Sequence, residues 1–259
     1  MSPWKRLSRS FENLQSKYEH FEQIDSTNVY LMNKKIQNGR IARANFQTKG
    51  KGRQGRTWEG SQNESLLFSI ALTEQLEQLP FYIYTFLAAN SIVESIQRFI
   101  KANKISVKLP NDILVDGQKI CGILLETRVN RGELKKVVIG IGLNINQNKQ
   151  FFQNKNLNKS TSLSIQTGKK YNLAEIFEVV LSKIDKKITT AFEKGFEPIL
   201  KEWREYCSSL GQKITIETNE EIKAGIFMDI SDTGSILLET EQGIEKIKTG
   251  DVILNKEVN

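Results

Sequence analysis

Nine consecutive residues, Gly50-Lys51-Gly52-Arg53-Gln54-Gly55-Arg56-Thr57-Trp58, bring together three glycines, three cations and an indole. The glycines permit positive φ and close backbone approach, and the cations repel one another unless an anion sits among them. A phosphorylated or carboxylated ligand accounts for both features; a solvated basic loop is the plainer alternative. Gly50, Gly52 and Gly55 also spell G-x-G-x-x-G, which signals a dinucleotide fold only when it opens a helix. Here Trp58-Glu59-Gly60-Ser61-Gln62-Asn63-Glu64 follows, polar and without helical periodicity, so that fold is not expected.

Three further clusters carry chemistry. Lys108-Leu109-Pro110-Asn111-Asp112 sets a cation, an amide and a carboxylate between two strands, with the proline breaking the ladder. The Asn-Asp pair is either a polar site or a turn that caps its own backbone. Lys119-Ile120-Cys121-Gly122 opens an apolar strand on a lysine, which either guards a sheet edge or faces a ligand. Gly122 within the strand suggests close approach by a ligand or another backbone. Gly140-Ile141-Gly142-Leu143-Asn144-Ile145-Asn146 ends a buried strand with two amides.

The chain that must position these groups has 259 residues, room for one sizeable core and a smaller module. Its apolar and charged fractions, 39% and 26%, are those of an ordinary folded protein, and its net charge of +7 suits an acidic partner. Two distant cysteines, Cys121 and Cys207, indicate a reducing compartment, and the single His20 excludes any site built on two histidines. There is no secretory signal and no stretch of about 18 apolar residues, so a cytoplasmic protein with no membrane partner is expected.

Residues 1–20 are polar and irregular, a short helix or a loose leader. After Asp25-Ser26-Thr27-Asn28, apolar Val29, Met32 and Ile36 fall at helical spacing up to Gly39. Strands are predicted over 41–46 and 65–72, a long helix over 80–103, then strands over 105–109, 113–115, 120–127 and 134–145. The Asn-, Lys- and Gln-rich stretch 147–159 reads as a surface loop or mobile flap, and helices follow over 173–192 and 197–206. The last fifty residues read as short strands around turns near Asn219, Asp232-Thr233-Gly234 and Gln242-Gly243. The fold class is α+β, a mixed, largely antiparallel sheet with helices on one face. Three segments are expected: a leader over 1–20, a main domain over 21–210, and a small SH3-like β-barrel over 211–259.

Asp25-Ser26-Thr27-Asn28, the glycine-arginine loop ending in Trp58, Lys108 to Asp112, Lys119 to Gly122 and Gly142 to Asn144 occur in the order and approximate spacing of biotin protein ligases, and the chain resembles that family. The resemblance implies the fold shared with class II aminoacyl-tRNA synthetases and a C-terminal SH3-like domain. It implies ATP and Mg2+ as co-substrate and metal, and biotin as the substrate joined to a lysine of a biotin carboxyl carrier domain, as in acetyl-CoA carboxylase. On the biotin side it assigns Ser26, Thr27, Asn28, Gln47, Gly50, Lys51, Gly52, Arg53, Lys119 and Gly122. On the ATP side it assigns Arg53, Arg56, Trp58, Lys108, Asn111, Asp112 and Asn144. Lys119, Arg53 and Asp112 take the catalytic roles, with Asp112 and the nucleotide phosphates holding the metal.

Departures from the family pattern fall at Lys51, where many relatives have arginine, at Leu109 for a frequent tryptophan, at Cys121 for a small residue, and at Thr48-Lys49. Lys51 exchanges a flat bidentate fork for a point charge. Bifunctional relatives carry a winged-helix repressor domain before the Asp-Ser-Thr-Asn block; only 24 residues precede Asp25 here, so a monofunctional ligase without a DNA partner, a monomer or weak homodimer, is expected. Lipoate protein ligase is the nearest rival, and a basic nucleic-acid-binding module the non-enzymatic one. The latter is disfavoured because Phe227 is the only aromatic after Tyr206.

Overall fold

The computed structural model describes residues 18–217 and 222–247 with the backbone of 251–254; the turn near Asn219 and the leader up to residue 17 lie outside the described residues. Ser65–Leu72 (β3) is buried at every position, as its unbroken apolar run requires of a central strand covered on both sides. It lies antiparallel to Arg40–Gln47 (β2) and to Glu133–Asn144 (β7). Beyond β7 come Gln118–Asn130 (β6), Asp112–Val115 (β5) and Ile105–Lys108 (β4), all antiparallel, while Tyr18–Ile24 (β1) pairs parallel with β2 at the other edge. The seven-stranded sheet is therefore mixed and mostly antiparallel, as expected. The strand β1 begins inside the stretch read as a leader, because an edge strand buries too little to show clean alternation.

Three long helices, Ile83–Ile96 (the second in the chain, α2), Leu173–Lys194 (α5) and Glu197–Tyr206 (α6), cover one face over a single core. The first helix, Thr27–Asn33 (α1), sits on the opposite face over Leu31, Ala42, Ala71 and Val138. It is shorter than its apolar spacing predicts. Buried Lys136 of β7 donates to the carbonyls of Leu31 (3.0 Å), Met32 (3.2 Å) and Lys34 (2.6 Å), terminating the helix with a cation where its dipole is negative. Burial lowers the pKa of that ammonium below the usual lysine value.

The helix predicted over 80–103 ends at Ile96, and a short 3-10 turn, Ala102–Lys104, precedes β4. The polar stretch read as a loop or flap contains Lys149–Asn154 (α3), capped by Asn148 and anchored by buried Phe152. A further short helix, Leu163–Thr167 (α4), was not predicted. The chain between them is tied to β6: Lys119 N–H donates to Lys159 O, and Thr161 N–H to Lys119 O, both at 2.8 Å.

Lys213–Glu217 (β8), Ile222–Ile230 (β9), Ile236–Thr240 (β10), Gly243–Ile247 (β11) and Asp251–Leu254 (β12) form a separate five-stranded antiparallel sheet in the order β11-β10-β9-β8-β12. Tyr82 Oη, next to α2, donates to the carbonyls of Ser231 (3.2 Å) and Asp232 (3.0 Å), and Arg204 of α6 pairs with Asp229 at 3.0 Å. Those contacts hold the small sheet against the large domain. No helix of the described residues is long and apolar enough to cross a membrane.

Lys187 joins the three long helices. Its side chain, 9% exposed, donates to Glu94 of α2 at 2.6 Å and to both carboxylate oxygens of Glu202 of α6 at 2.8 and 2.6 Å. Burial alone would raise the Glu94 carboxyl, but hydrogen bonds from Lys183 and Lys187 outweigh it and hold the group down at about 2; burial raises Glu202. The stabilisation linked to Glu94 is therefore full above a pH of about 4.5 and is lost as pH falls toward about 2. We expect Lys187→Met to destabilise the fold by about 2 kcal/mol at neutral pH, because Glu202 loses its cation in a half-buried site and Glu94 keeps only Lys183. Urea unfolding checks this; an unchanged midpoint would mean the cluster contributes nothing.

Candidate functional site

The Asp-Ser-Thr-Asn block folds as a helix start because Ser26 is extended and its Oγ accepts the Val29 N–H at 3.5 Å. The cap turns Thr27 and Asn28 into the sheet surface, where both are buried. Thr27 N–H donates to Gln47 Oε1 at 2.7 Å, and the Thr27 hydroxyl lies 3.0 Å from the same oxygen and 2.7 Å from Ser69 Oγ. Capping and site-building thus coexist in neighbouring residues.

The glycine-arginine stretch is a closed loop with a 3-10 turn at Arg53–Gly55, not a helix start, which agrees with the rejection of a dinucleotide fold. Gln54 and Gly55 have φ of 53° and 72°. Gly52 N–H donates to Arg56 O at 2.7 Å, and Trp58 N–H to Gly50 O at 2.9 Å. Gly50 serves this neck: a Cβ there would stand 2.6 Å from the Trp58 carbonyl oxygen.

Loop, helix start and sheet enclose a cleft of about 240 Å3. Its wall includes Ser26, Thr27, Asn28 and Gln47 on one side, Lys51, Gly52, Arg53, Arg56 and Trp58 from the loop, and Asn111, Asp112, Lys119 and Gly122 from the β5–β6 side. Thirteen of the residues singled out from the sequence therefore meet in one place. Three do not line it. Gly50 lies in the loop neck. Lys108 is paired opposite Asp112 in the β4–β5 ladder, away from the wall. Asn144 is buried, donating to Thr161 O at 3.0 Å and accepting from Gln147 Nε2 at 3.0 Å, so it braces the segment after α3.

Sequence reasoning missed Phe68 and Leu157, which also line the wall, and quoted Gly140 and Ile141 in a strand-ending cluster without assigning them a role. The glycines carried a signal. Gly140 and Gly142 are two apart and so share one sheet face, and Gly142 sits directly opposite Gly122 across the β6–β7 ladder. A Cβ on Gly122 would lie 2.8 Å from Trp58 Cζ3; on Gly142 it would lie 2.7 Å from Cζ2 and 2.8 Å from Nε1. On Gly140 it would overlap the Asn28 amide. The three positions make a shallow bed for the indole and for Asn28. We expect Gly142→Ala to push Trp58 off that bed and weaken ligand binding about tenfold, in line with overpacking costs of roughly 1–3 kcal/mol. Calorimetric titration checks this, and wild-type affinity in the variant would show the bed to be irrelevant.

The cleft is strongly cationic. Lys119 Nζ lies 2.7 Å from Asp112 Oδ1 and 5.5 Å from the Trp58 ring centre. Asn111 Nδ2 donates to Ile123 O at 2.6 Å, and Ile123 N–H returns a bond to Asn111 O at 2.9 Å, which fixes the Asn-Asp corner on β6. Asp112 is the only acidic side chain on the wall, against Lys51, Arg53, Arg56 and Lys119. Among the described residues no three acidic, His or Cys side chains gather as a metal site. One carboxylate and one amide still fit Mg2+, which takes few protein ligands when phosphate oxygens and water supply the rest. Trp58 Nε1 is buried with no hydrogen-bond partner among the described residues, a donor suited to a bound ligand. Buried Cys121 lies under the same wall, its thiol pushed up by burial and so unsuited to act as a nucleophile.

A second cleft, about 290 Å3 and mostly apolar, meets the first at Arg53, Asn111 and Ile123 and runs between the large domain and the small sheet, past Tyr82 and Ile236.

Comparison with known proteins gives this geometry its family context. Residues 20–144 match the biotin/lipoate A/B protein ligase family, and residues 209–255 match the biotin protein ligase C terminal domain. The chain is 32% identical over 224 residues to the bifunctional ligase/repressor BirA of Bacillus spizizenii, covering 86% of this chain and 69% of that protein. It is 26% identical over 214 residues to a biotin--[acetyl-CoA-carboxylase] ligase of Paracoccus denitrificans, covering 82% and 88%. Among solved structures it is similar to the biotin protein ligase from Aquifex aeolicus in complex with biotin and ATP, with a TM-score of 0.76 and 26% identity over 95% of this chain and 100% of that one.

Proposed function

Because the chain belongs to the biotin/lipoate A/B protein ligase family and is a biotin ligase enzyme, we propose that it makes biotinyl-5′-AMP from biotin and ATP and transfers the biotinyl group to a lysine of a carboxylase carrier domain. The observation that carries this reading is that one cleft is lined both by hydrogen-bonding groups, Ser26 to Gln47, and by cations, Lys51, Arg53, Arg56 and Lys119. Biotin has the matching groups, a neutral cyclic urea at one end and a carboxylate at the other.

In the first step a biotin carboxylate oxygen attacks the α-phosphorus of ATP, a new O–P bond forms, and the bond to the β-phosphate breaks to release pyrophosphate. Two anions must meet, so Lys119 and Arg53 lower their repulsion and stabilise the charge that builds on the phosphoryl oxygens. Lys119 is poised between Asp112 and the cleft, and exchanges part of that pairing for the incoming carboxylate. Asp112, with Asn111 beside it, is the residue to hold Mg2+ against the phosphates, the metal supplying further charge neutralisation when bound. In the second step the acceptor amine attacks the acyl carbon, the acyl–O bond to AMP breaks, and the nitrogen loses a proton. A lysine amine has a reference pKa of about 10.4, so Asp112 also serves as a candidate to take that proton. Neither step needs a protein nucleophile, and positioning does much of the work. On this proposal residues 21–210 form the ligase unit and 211–259 an SH3-like unit that supports transfer.

The test is direct. Protein incubated with biotin, magnesium and α-labelled ATP should form labelled biotinyl-AMP, and addition of a carrier domain should discharge it as AMP with biotin fixed to one lysine. Formation of no biotin-dependent labelled product would overturn the assignment.

A further inference from the structure

Asn28, on the cleft wall, is oriented by a charged side chain that does not itself line the cleft. Its Nδ2 donates to Glu126 Oε2 on β6 at 2.8 Å and lies 3.3 Å from Leu124 O. We propose that Glu126 is a positioning residue for biotin: it fixes the Asn28 amide and, through Ser69 and Thr27, the donor and acceptor pattern that the cleft offers the urea ring. The proposal rests on the assignment of this cleft as the biotin site.

Counting protons fixes the direction of these bonds. A carboxylate only accepts, so Asn28 must turn its NH2 toward Glu126 and its oxygen away. That oxygen lies 2.5 Å from Ser69 Oγ, and as an acceptor it takes the one proton the serine hydroxyl has. Ser69 Oγ lies 2.7 Å from Thr27 Oγ1 and has no proton left to give, so toward Thr27 it can only accept; the one Thr27 hydroxyl proton is shared between Ser69 Oγ and Gln47 Oε1, 3.0 Å away. Thr27 then holds Gln47 Oε1 through its backbone N–H at 2.7 Å. With its oxygen tied, Gln47 presents its NH2, which stands 3.5 Å from where a Cβ of Gly50 would be, at the foot of the loop. One acceptor at the far end therefore sets the sense of the links from Asn28 through Ser69 to the Thr27 hydroxyl, while the Thr27 N–H fixes Gln47 independently. Loss of Glu126 leaves Asn28 with the longer bond to Leu124 and frees the amide to turn over.

The experiment measures biotin binding by calorimetry on the full chain, with the KM values for biotin and ATP alongside. Glu126→Ala should raise the dissociation constant for biotin about tenfold, the scale of one hydrogen bond to a charged group. The KM for ATP should change less than twofold. Glu126→Gln should restore near wild-type binding, since its Oε1 accepts from Asn28 as the carboxylate does. Ser69→Ala, which cuts the chain one link on, should reproduce the loss and keeps the proposal testable if Glu126→Ala fails to fold. Wild-type affinity in either alanine variant, equal damage in Glu126→Ala and Glu126→Gln, or a parallel rise in the KM for ATP would overturn it. If the wild-type protein binds no biotin, the assignment of the cleft falls and this proposal with it.

Discussion

Lys119→Ala should reduce single-turnover formation of biotinyl-AMP by 100-fold or more while leaving the fold intact. Removing one preorganised group that meets transition-state charge costs on the order of 3 kcal/mol, and each 1.36 kcal/mol is about tenfold in rate. The structure sharpens the expectation. Lys119 is 2.7 Å from Asp112, so its loss also leaves a bare carboxylate facing an incoming carboxylate and a triphosphate. The double variant Lys119→Ala, Asp112→Asn should therefore recover part of the adenylation lost in the single one, provided excess magnesium is supplied. Stability should scarcely change, because the pair is partly exposed, with side chains 33% and 23% accessible, and such pairs contribute little to folding. Near-normal adenylation by a folded Lys119→Ala protein would remove this lysine from the chemistry.

The legibility of this site in the sequence differed by kind of residue. Polar and glycine clusters were readable because few structural tasks need an Asp-Ser-Thr-Asn start, a glycine-arginine loop and a lysine at the head of an apolar strand, and all three meet at the cleft. What escaped was set by tertiary contact. The end of α1 is fixed by Lys136, 102 residues beyond Lys34, and nothing in the local spacing of Val29, Met32 and Ile36 reports that. The helix at Lys149–Asn154 was hidden by polar composition, although Phe151-Phe152 in its middle was the apolar anchor to notice. Asn144 looked like a ligand group because an amide ends a buried strand, yet its partners are Thr161 and Gln147. Gly140 heads a recognised strand-ending cluster but has no role assignable from the sequence, since the close approach it permits is to Asn28, 112 residues earlier.

The same asymmetry between local and tertiary information governs the loop. Arg53 stands where the cleft meets the apolar passage toward the small sheet, so its side chain is placed at the boundary between a bound anhydride and the route out. The loop is held by its own backbone bonds at Gly50 and Gly52, and a substitution at Arg53 can therefore remove charge without unravelling the neck. On the proposed function, Arg53 binds the adenylate phosphate and keeps the loop shut, which excludes water and stray amines from a reactive intermediate. Arg53→Gly should then release pre-formed biotinyl-AMP roughly 10- to 100-fold faster, the scale of a lost charge-assisted hydrogen bond, and weaken biotin binding as well. The escaped intermediate should acylate exposed lysines on bystander proteins. Stopped-flow release, paired with a streptavidin blot of added serum albumin, reads both effects. A solvated basic loop predicts the opposite outcome, a change in net charge with unchanged release and a blank albumin lane. That result would sink the gating role of Arg53 even if ligase activity were intact, because Lys119 and Asp112 are held by the β5–β6 strand pair and not by the loop.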